Sequence, residues 1–434
     1  MKVRNCARLI CTLALASVLG WTTGCNDDDA DPDVTVASNG PNMVSYWDEV
    51  AAATVTAPAS ASDATESERF PNYAFDVTAV HLAMYDTAMA IAGTHQPYKV
   101  TPAAPAAGAS MEAALAAAAY GVLKGLFPNR AALYQAKYDD ALATVTDAAA
   151  KAQGVALGTE VATAILADRA GDGRTTALPA FAPGTQPGQF RGVNPIGRTN
   201  QYVNPFSIMS ASQFRAPGPP ALDSATYTAD FNETRDLGGA TSSTRTVEQT
   251  ESARFHTEPP PRFWTRNLRQ FAMSQPTLAE NTRLMALLYV VQADVSIACF
   301  ETKYHYLFWR PTSAITLADT DGNTDTAVDP AWTPVVPTPN HPEYPAAHGC
   351  VFGGMGEALR SFYGTRRLSF SFDTTVAGIS PEGMKHSYES IQDLTDDSLA
   401  RIWGGMHFRT SVEHGRTLGE QTAAWVVAHH FGPR

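Results

Sequence analysis

"LAENTRLMALLYVVQADVSIACFETKYHYLFWRP", residues 278–311, decides how the chain folds. Its apolar residues recur at helical spacing, which predicts a helix and not a strand. Lys303 and Arg310 stand seven apart near its end, about two turns, and so are expected to share a face. Pro311 then stops or kinks the helix. Tyr304, Tyr306, Leu307, Phe308 and Trp309 lie between the two cations. A lone basic pair usually marks a solvated edge. Here the neighbours read as buried, and two buried cations need an anion.

The segments before and after this stretch are helical too. "DVTAVHLAMYDTAMAIAG" (76–93) has apolar residues at helical spacing and stops at Gly93. "SMEAALAAAAYGVLKGLF" (110–127) and "AALYQAKYDDALATV" (131–145) are Ala-rich with good helix propensity. "AQGVALGTEVATAILADRAGDG" (152–173) carries Gly154 and Gly158 on one side, which predicts a tightly packed neighbour. Residues 174–245 change to Pro, Gly and polar residues with interleaved Phe, Tyr and Ile, and read as long ordered loops. Helices resume near residue 246 and close the chain in "SVEHGRTLGEQTAAWVVAHHF" (411–431). No alternating run is long enough for a substantial sheet, so the class is all-α.

The chain has 434 residues, 44% hydrophobic, enough for one large domain or two modest ones. Net charge is −12, which argues against a nucleic-acid partner and makes any local cation cluster informative. Lys2, Arg4 and Arg8 precede the apolar run "LICTLALASVL", which is too short to span a bilayer and suits a signal peptide over residues 1–24. "TTGCNDDD" follows. A small residue before Cys25 and an acidic stretch after it resemble a bacterial lipoprotein signal. The expectation is export to the periplasm or cell surface, with the membrane met only through a lipid anchor at Cys25. Residues 25–41 read as a flexible tether and 42–434 as the working domain. No apolar run of 18 residues follows the signal, which implies a soluble domain. Of five cysteines, only Cys299 and Cys350 remain after processing, so this is not a disulfide scaffold. No H-E-x-x-H or close Cys/His spacing points to zinc.

Two further segments join "KYHYLFWRP" (303–311). "HPEYPAAHGC" (341–350) offers His348, and "ARIWGGMHFR" (400–409) offers Arg401 and His407 across Gly404 and Gly405. That glycine pair would permit a tight turn and a close backbone approach to a ligand. Lys, Arg, His, Arg and His suit a tetrahedral oxyanion: three cations neutralise it, one histidine moves protons and one bonds the central atom. The order K-x6-RP, P-x-x-H, R-x5-H resembles the vanadium-dependent haloperoxidases and the type 2 phosphatidic acid phosphatases, a single superfamily. "HLAMYDTAMAI", "ADRAGDGR" and "QFRAPGPPALDSATY" extend the likeness to the soluble bacterial haloperoxidase-like branch over most of residues 45–434.

That resemblance implies a helical bundle, commonly two four-helix bundles, with the anion site within residues 290–420. It implies vanadate as cofactor, phosphate as an alternative occupant, and hydrogen peroxide and halide as partners. By resemblance, Lys303, Arg310 and Arg401 hold the oxygens, with the Ala347 backbone N–H beside them. His348 is then the acid–base residue, His407 the vanadium ligand, and Lys303 the group that polarises peroxide. His341, seven before His348, stands where bromide-oxidising members tend to carry histidine. The second motif departs from the usual P-S-G-H: Ala346 replaces serine, a loss of ~1.5–3 kcal/mol if nothing replaces the hydroxyl bond. Ser411 stands four after His407, where the phosphatases have an acid that orients the histidine, and this absence disfavours the phosphatase reading. The functions in view are a bromide- or iodide-oxidising haloperoxidase, an acid phosphatase with a phosphohistidine intermediate, and a non-catalytic oxyanion binder. Convergence of Lys303 and His348 would bring Cys299 and Cys350 together, which predicts a disulfide.

Overall fold

The computed structural model describes residues 31–57, 72–104 and 106–434. The expected signal peptide and Cys25 lie outside the described residues. A short strand Val34–Thr35 (β1) leads into helices Met43–Thr56 (α1), Asp76–Ala92 (α2), Met111–Leu126 (α3), Ala131–Ala143 (α4) and Ala148–Arg169 (α5). After a long loop come Ala225–Gly238 (α6), Val247–Phe255 (α7), Pro260–Leu268 (α8) and Leu278–Tyr306 (α9). The C-terminal part adds Pro311–Thr316 (α10), Ala347–Tyr363 (α11), strands Leu368–Asp373 (β2) and Lys385–Tyr388 (β3), and helices Ile391–Asp396 (α12), Ala400–Trp403 (α13) and Arg409–His429 (α14).

α9 is the axis of the molecule. Thr277 caps it by accepting from the Glu280 N–H, and its side chains are buried almost all round, from Ala279 to Lys303. A helix apolar on every face must be covered on every face. Here α2 covers one side and α11 another, and one continuous core runs from Val44 to Phe431 through both helical groups. By length and composition α9 could cross a membrane, contrary to the expectation from the sequence; 83% of its apolar window is instead buried inside the fold.

Glycine sets the closest helix contacts. A Cβ on Gly154 or Gly158 of α5 would come within 2.5 Å of the Ser110 carbonyl or 2.1 Å of the Ala114 carbonyl, so α5 lies directly on the α3 backbone, as the small residues predicted. The α11–α14 seam is built the same way. A Cβ on Gly349 would meet Val412 O at 2.5 Å, on Gly353 Arg416 O at 2.3 Å, and on Gly419 Cys350 O at 2.0 Å.

The long Pro/Gly loop is ordered because a buried carboxylate collects its backbone. Asp294 of α9 accepts N–H bonds from Phe206, Ser207 and Ile208 at 2.7–2.9 Å. Residues 31–41, expected to be part of a flexible tether, are instead seated on the fold. Val34–Thr35 pair in parallel with Leu368–Ser369, and Asn39 N–H donates to Met273 O at 2.7 Å. β2 also pairs antiparallel with β3, completing a three-stranded sheet. "LSFSFD" alternates with its apolar residues inward, a period-2 signal that is real but only six residues long.

Candidate functional site

Lys303 and Arg310 do not share a helical face. α9 ends at Tyr306 because Leu307 takes a left-handed conformation (φ 51°) and returns its N–H to Lys303 O. The chain turns there, and Arg310 is the residue before α10, with Pro311 at the first helical position. The turn, not the helix, brings the two cations to one place.

Lys303 is wholly buried. Its ammonium donates to Pro342 O and Glu343 O at 3.0 Å each, and to Pro345 O. Three donors are thus committed to three carbonyls, which braces the 342–345 loop. Arg310 is equally engaged: Nε donates to His341 O at 2.8 Å, Nη1 to Met406 O and to His407 Nε2 at 2.9 Å, and Nη2 to His341 Nδ1 at 3.0 Å. Arg401 donates from Nη1 to His256 O at 3.2 Å and from Nη2 to Met406 Sδ at 3.0 Å, while its buried Nε has no partner among the described residues. Burial pulls Lys303 down to about 8, Arg310 to about 10 and Arg401 to about 9, so each is charged at neutral pH.

His407 sits just before α14, with Nδ1 donating to Glu343 Oε1 at 2.9 Å. Since Nε2 accepts from Arg310, the tautomer is fixed: the proton is on Nδ1 and the lone pair on Nε2. Glu343 also accepts from Phe408 N–H (Oε1) and from Ser411 Oγ (Oε2), both at 3.0 Å. Burial pushes Glu343 up to about 7, against the pull of Arg310 and Lys303. The orienting acid that the sequence lacked at position 411 is therefore present from another segment, and Ser411 helps hold it. The absence of an acid at 411 consequently does not weigh against the phosphatase reading.

His348 lies in the first turn of α11 and lines a cavity of about 650 Å³ together with Ala347, His341, Arg401 and His407. Burial, then Arg401 and His256, hold it well below the usual histidine value, so it is neutral at pH 7. Ala346, at the N-cap, makes no side-chain cap bond, and the helix N-terminus opens on the cavity. His341 is buried against Arg310 and lies tilted against Phe300, 5.3 Å between ring centroids. Trp264, Phe300, Pro260 and Pro261 give the cavity an apolar side. Lys303 is not among its lining residues. The Gly404–Gly405 turn forms as expected, with Gly405 at φ 72°, but its close backbone approach is to Gly238, not to a ligand.

One cluster went unread in the sequence. Asp397 Oδ2 accepts from His256 Nε2 (2.9 Å), His386 Nδ1 (2.8 Å) and Tyr388 OH (2.7 Å), and Ser252 donates to Oδ1 at 3.1 Å. His256 then abuts His348, 5.7 Å between ring centroids, and offers its carbonyl to Arg401. The fold thus gathers two histidines and an acid whose spacing gave no metal signature, and their N–H donors are spent on the carboxylate. Cys299 and Cys350 are also brought together, sharing a side-chain hydrogen bond, but both are free thiols, so the expected bond is not formed.

Lys303, Arg310 and Arg401 are all buried; the Glu343 carboxylate faces the charges of Lys303 and Arg310, and the described hydrogen bonds of the three cations go to carbonyls, imidazoles and a thioether, not to a carboxylate. The excess positive charge, the orphaned Arg401 Nε and the Nε2 lone pair of His407 fit an oxyanion whose central atom takes a nitrogen ligand.

The family model for the VCPO second helical-bundle domain matches residues 283–432. The vanadium chloroperoxidase of Curvularia inaequalis is 26% identical over 207 residues, 38% of this chain and 33% of that protein, so the match spans a third of the relative's length. A bacterial vanadium-dependent iodoperoxidase superposes with a TM-score of 0.67 at 19% identity, covering 92% of this chain and 99% of the other. A holo-type bacterial vanadium-dependent chloroperoxidase gives 0.64 at 16% identity over 82% and 90%. Residues 283–432 thus match the VCPO second helical-bundle domain, and the chain has the fold seen in the bacterial vanadium-dependent haloperoxidases.

Proposed function

We propose that this protein is a vanadate-dependent haloperoxidase that oxidises bromide or iodide with hydrogen peroxide. The observation that carries the reading is the His407 ring, tied through Nδ1 to Glu343 and left with its Nε2 lone pair among buried cations. A histidine oriented by a carboxylate through its other nitrogen is the usual form of a metal ligand. Vanadate, when bound, supplies a Lewis acid that activates peroxide without a change of oxidation state. Lys303, Arg310 and Arg401 neutralise the oxyanion, and Arg310 releases the Nε2 lone pair for it. His348, neutral at pH 7, takes the proton that peroxide loses, at the mouth of the α11 N-terminus where an anion is also favoured. With its ammonium committed to three carbonyls, Lys303 acts by charge and by holding the Glu343 loop in place. His341 beside Arg310 supports the heavier halides over chloride.

Glu343 also favours a second reading. A phosphatase using His407 as nucleophile needs an orienting carboxylate, and Glu343 is one. One experiment separates the two: bromide and iodide oxidation with peroxide, and phosphate-ester hydrolysis, each on vanadate-loaded and phosphate-loaded protein. Halide oxidation only in the vanadate form supports the proposal. Ester hydrolysis by vanadate-free protein with an inert vanadate form overturns it, and binding without either activity leaves an oxyanion carrier. We further propose export and lipidation at Cys25; an unmodified mature N-terminus elsewhere, seen by mass spectrometry, would refute this.

A further inference from the structure

We propose that Cys299 and Cys350 form a peroxide-oxidised dithiol in the wall of the site cavity, converted by hydrogen peroxide into an intramolecular disulfide. Cys299 lies on α9, one turn before Lys303, and is one of the residues lining the cavity. Cys350 lies on α11, two residues after His348, packed where Gly415 of α14 leaves room for its sulfur. The two thiols share a side-chain hydrogen bond, and both are free. Neither takes part in holding the oxyanion or moving a proton in the function proposed above. The oxidant is peroxide alone, so the inference stands apart from any halide chemistry.

The pair is asymmetric. Burial opposes the Cys299 thiolate, yet the bond from Cys350 and the charges of Lys303 and Arg310 bring it below the ordinary thiol value. Burial and then Cys299 push Cys350 far up. Cys299 lines the cavity that peroxide enters and Cys350 does not, so Cys299 is the attacking sulfur and Cys350 the resolving one. Cys299 sulfur attacks peroxide: an S–O bond forms, the O–O bond breaks, and the departing hydroxide takes a proton to leave as water. Cys299 is now a sulfenic acid, oxidised by two electrons. Cys350 sulfur then attacks it; the S–S bond forms, the S–O bond breaks, and hydroxide leaves with the Cys350 proton as a second water. Two thiols and one peroxide give one disulfide and two waters. The bridge staples α9 to α11 between Lys303 and His348, the two sides of the anion site.

The test treats the full purified chain with hydrogen peroxide, quenches with catalase, and alkylates under denaturing, non-reducing conditions. Peptide mapping should show the Cys299 and Cys350 peptides joined, both thiols lost to alkylation in equal measure, and both regained on reduction. In Cys350→Ser, Cys299 should stop at the sulfenic acid and take up one dimedone; in Cys299→Ser, Cys350 should stay unlabelled. Full alkylation of both thiols after a peroxide dose that oxidises the exposed Met209 overturns the proposal. So does a wild-type Cys299 that proceeds to sulfinic acid without a bridge, or a Cys350→Ser chain that folds but takes no dimedone. Should a variant misfold, the wild-type peptide map decides alone.

Discussion

Replacing Glu343 with alanine removes the acceptor of three donors at once: His407 Nδ1, the Phe408 N–H and Ser411 Oγ. It also removes the carboxylate that faces the charges of Lys303 and Arg310. Leaving buried charge uncompensated in this way costs ~3–5 kcal/mol. Unfolding entropy of ~2.1 cal/mol/K per residue, over ~400 residues, is ~0.8 kcal/mol/K, so the melting temperature should fall by ~4–6 °C. Glu343→Gln keeps the volume and a carbonyl acceptor for His407 and should lose clearly less. Calorimetric melting above pH 7 is the assay, because Glu343 is pushed up to about 7 and must be ionised for the comparison. Saturating phosphate, at about 100 times its Kd, should raise the wild-type midpoint by ~3 °C, the equivalent of ~2.7 kcal/mol. A loss under ~1 °C for Glu343→Ala would show that the carboxylate does not balance the cations, and the charge argument for the site would fall with it.

Ala346→Ser should act twice, as the missing N-cap of α11, worth ~1 kcal/mol or ~1 °C, and as a hydroxyl donor to the anion. Phosphate titration calorimetry should show ~10-fold tighter binding or better, from ~1.5–3 kcal/mol; unchanged affinity would place the hydroxyl away from the anion. His348→Ala should keep the affinity for vanadate and lower peroxide-dependent turnover by ~10²–10⁴, a split between binding and kcat that steady-state kinetics reads directly. Raising the pH through about 8 should weaken phosphate binding, since Lys303 loses its charge there, and Lys303→Met should remove that dependence. The same depressed value means that between about 8 and 10.5 the unfolded chain holds a proton the folded one has lost, so this residue's contribution to stability rises with pH in that window.

The residues of the site were legible where each carries its chemistry in its own segment. Lys303, Arg310, His348, Arg401 and His407 announce themselves by type and order. Glu343 did not, although it stands inside the same ten residues as His348. Its partner His407 is 64 residues away, and no local pattern links them. The helical face assumed for Lys303 and Arg310 failed at Leu307, because a left-handed leucine has no sequence signature. The helices themselves were readable from periodicity, and the glycine seam of α5 from its small residues. The seating of residues 31–41 depends on backbone pairing with a strand more than 300 positions on, which composition does not reveal.

The α11–α14 contact has a consequence for how this site can vary. His348 rises from the start of α11 and His407 from the approach to α14, and the two helices touch main chain to main chain through Gly349, Gly353 and Gly419. Their separation is thus a property of peptide geometry, not of any side chain's size. Residues elsewhere on the cavity wall can be exchanged without moving one helix relative to the other. Selection can therefore reshape what enters the pocket while the reactive pair keeps its spacing, and a single methyl group on the seam disturbs more than a large change at the mouth.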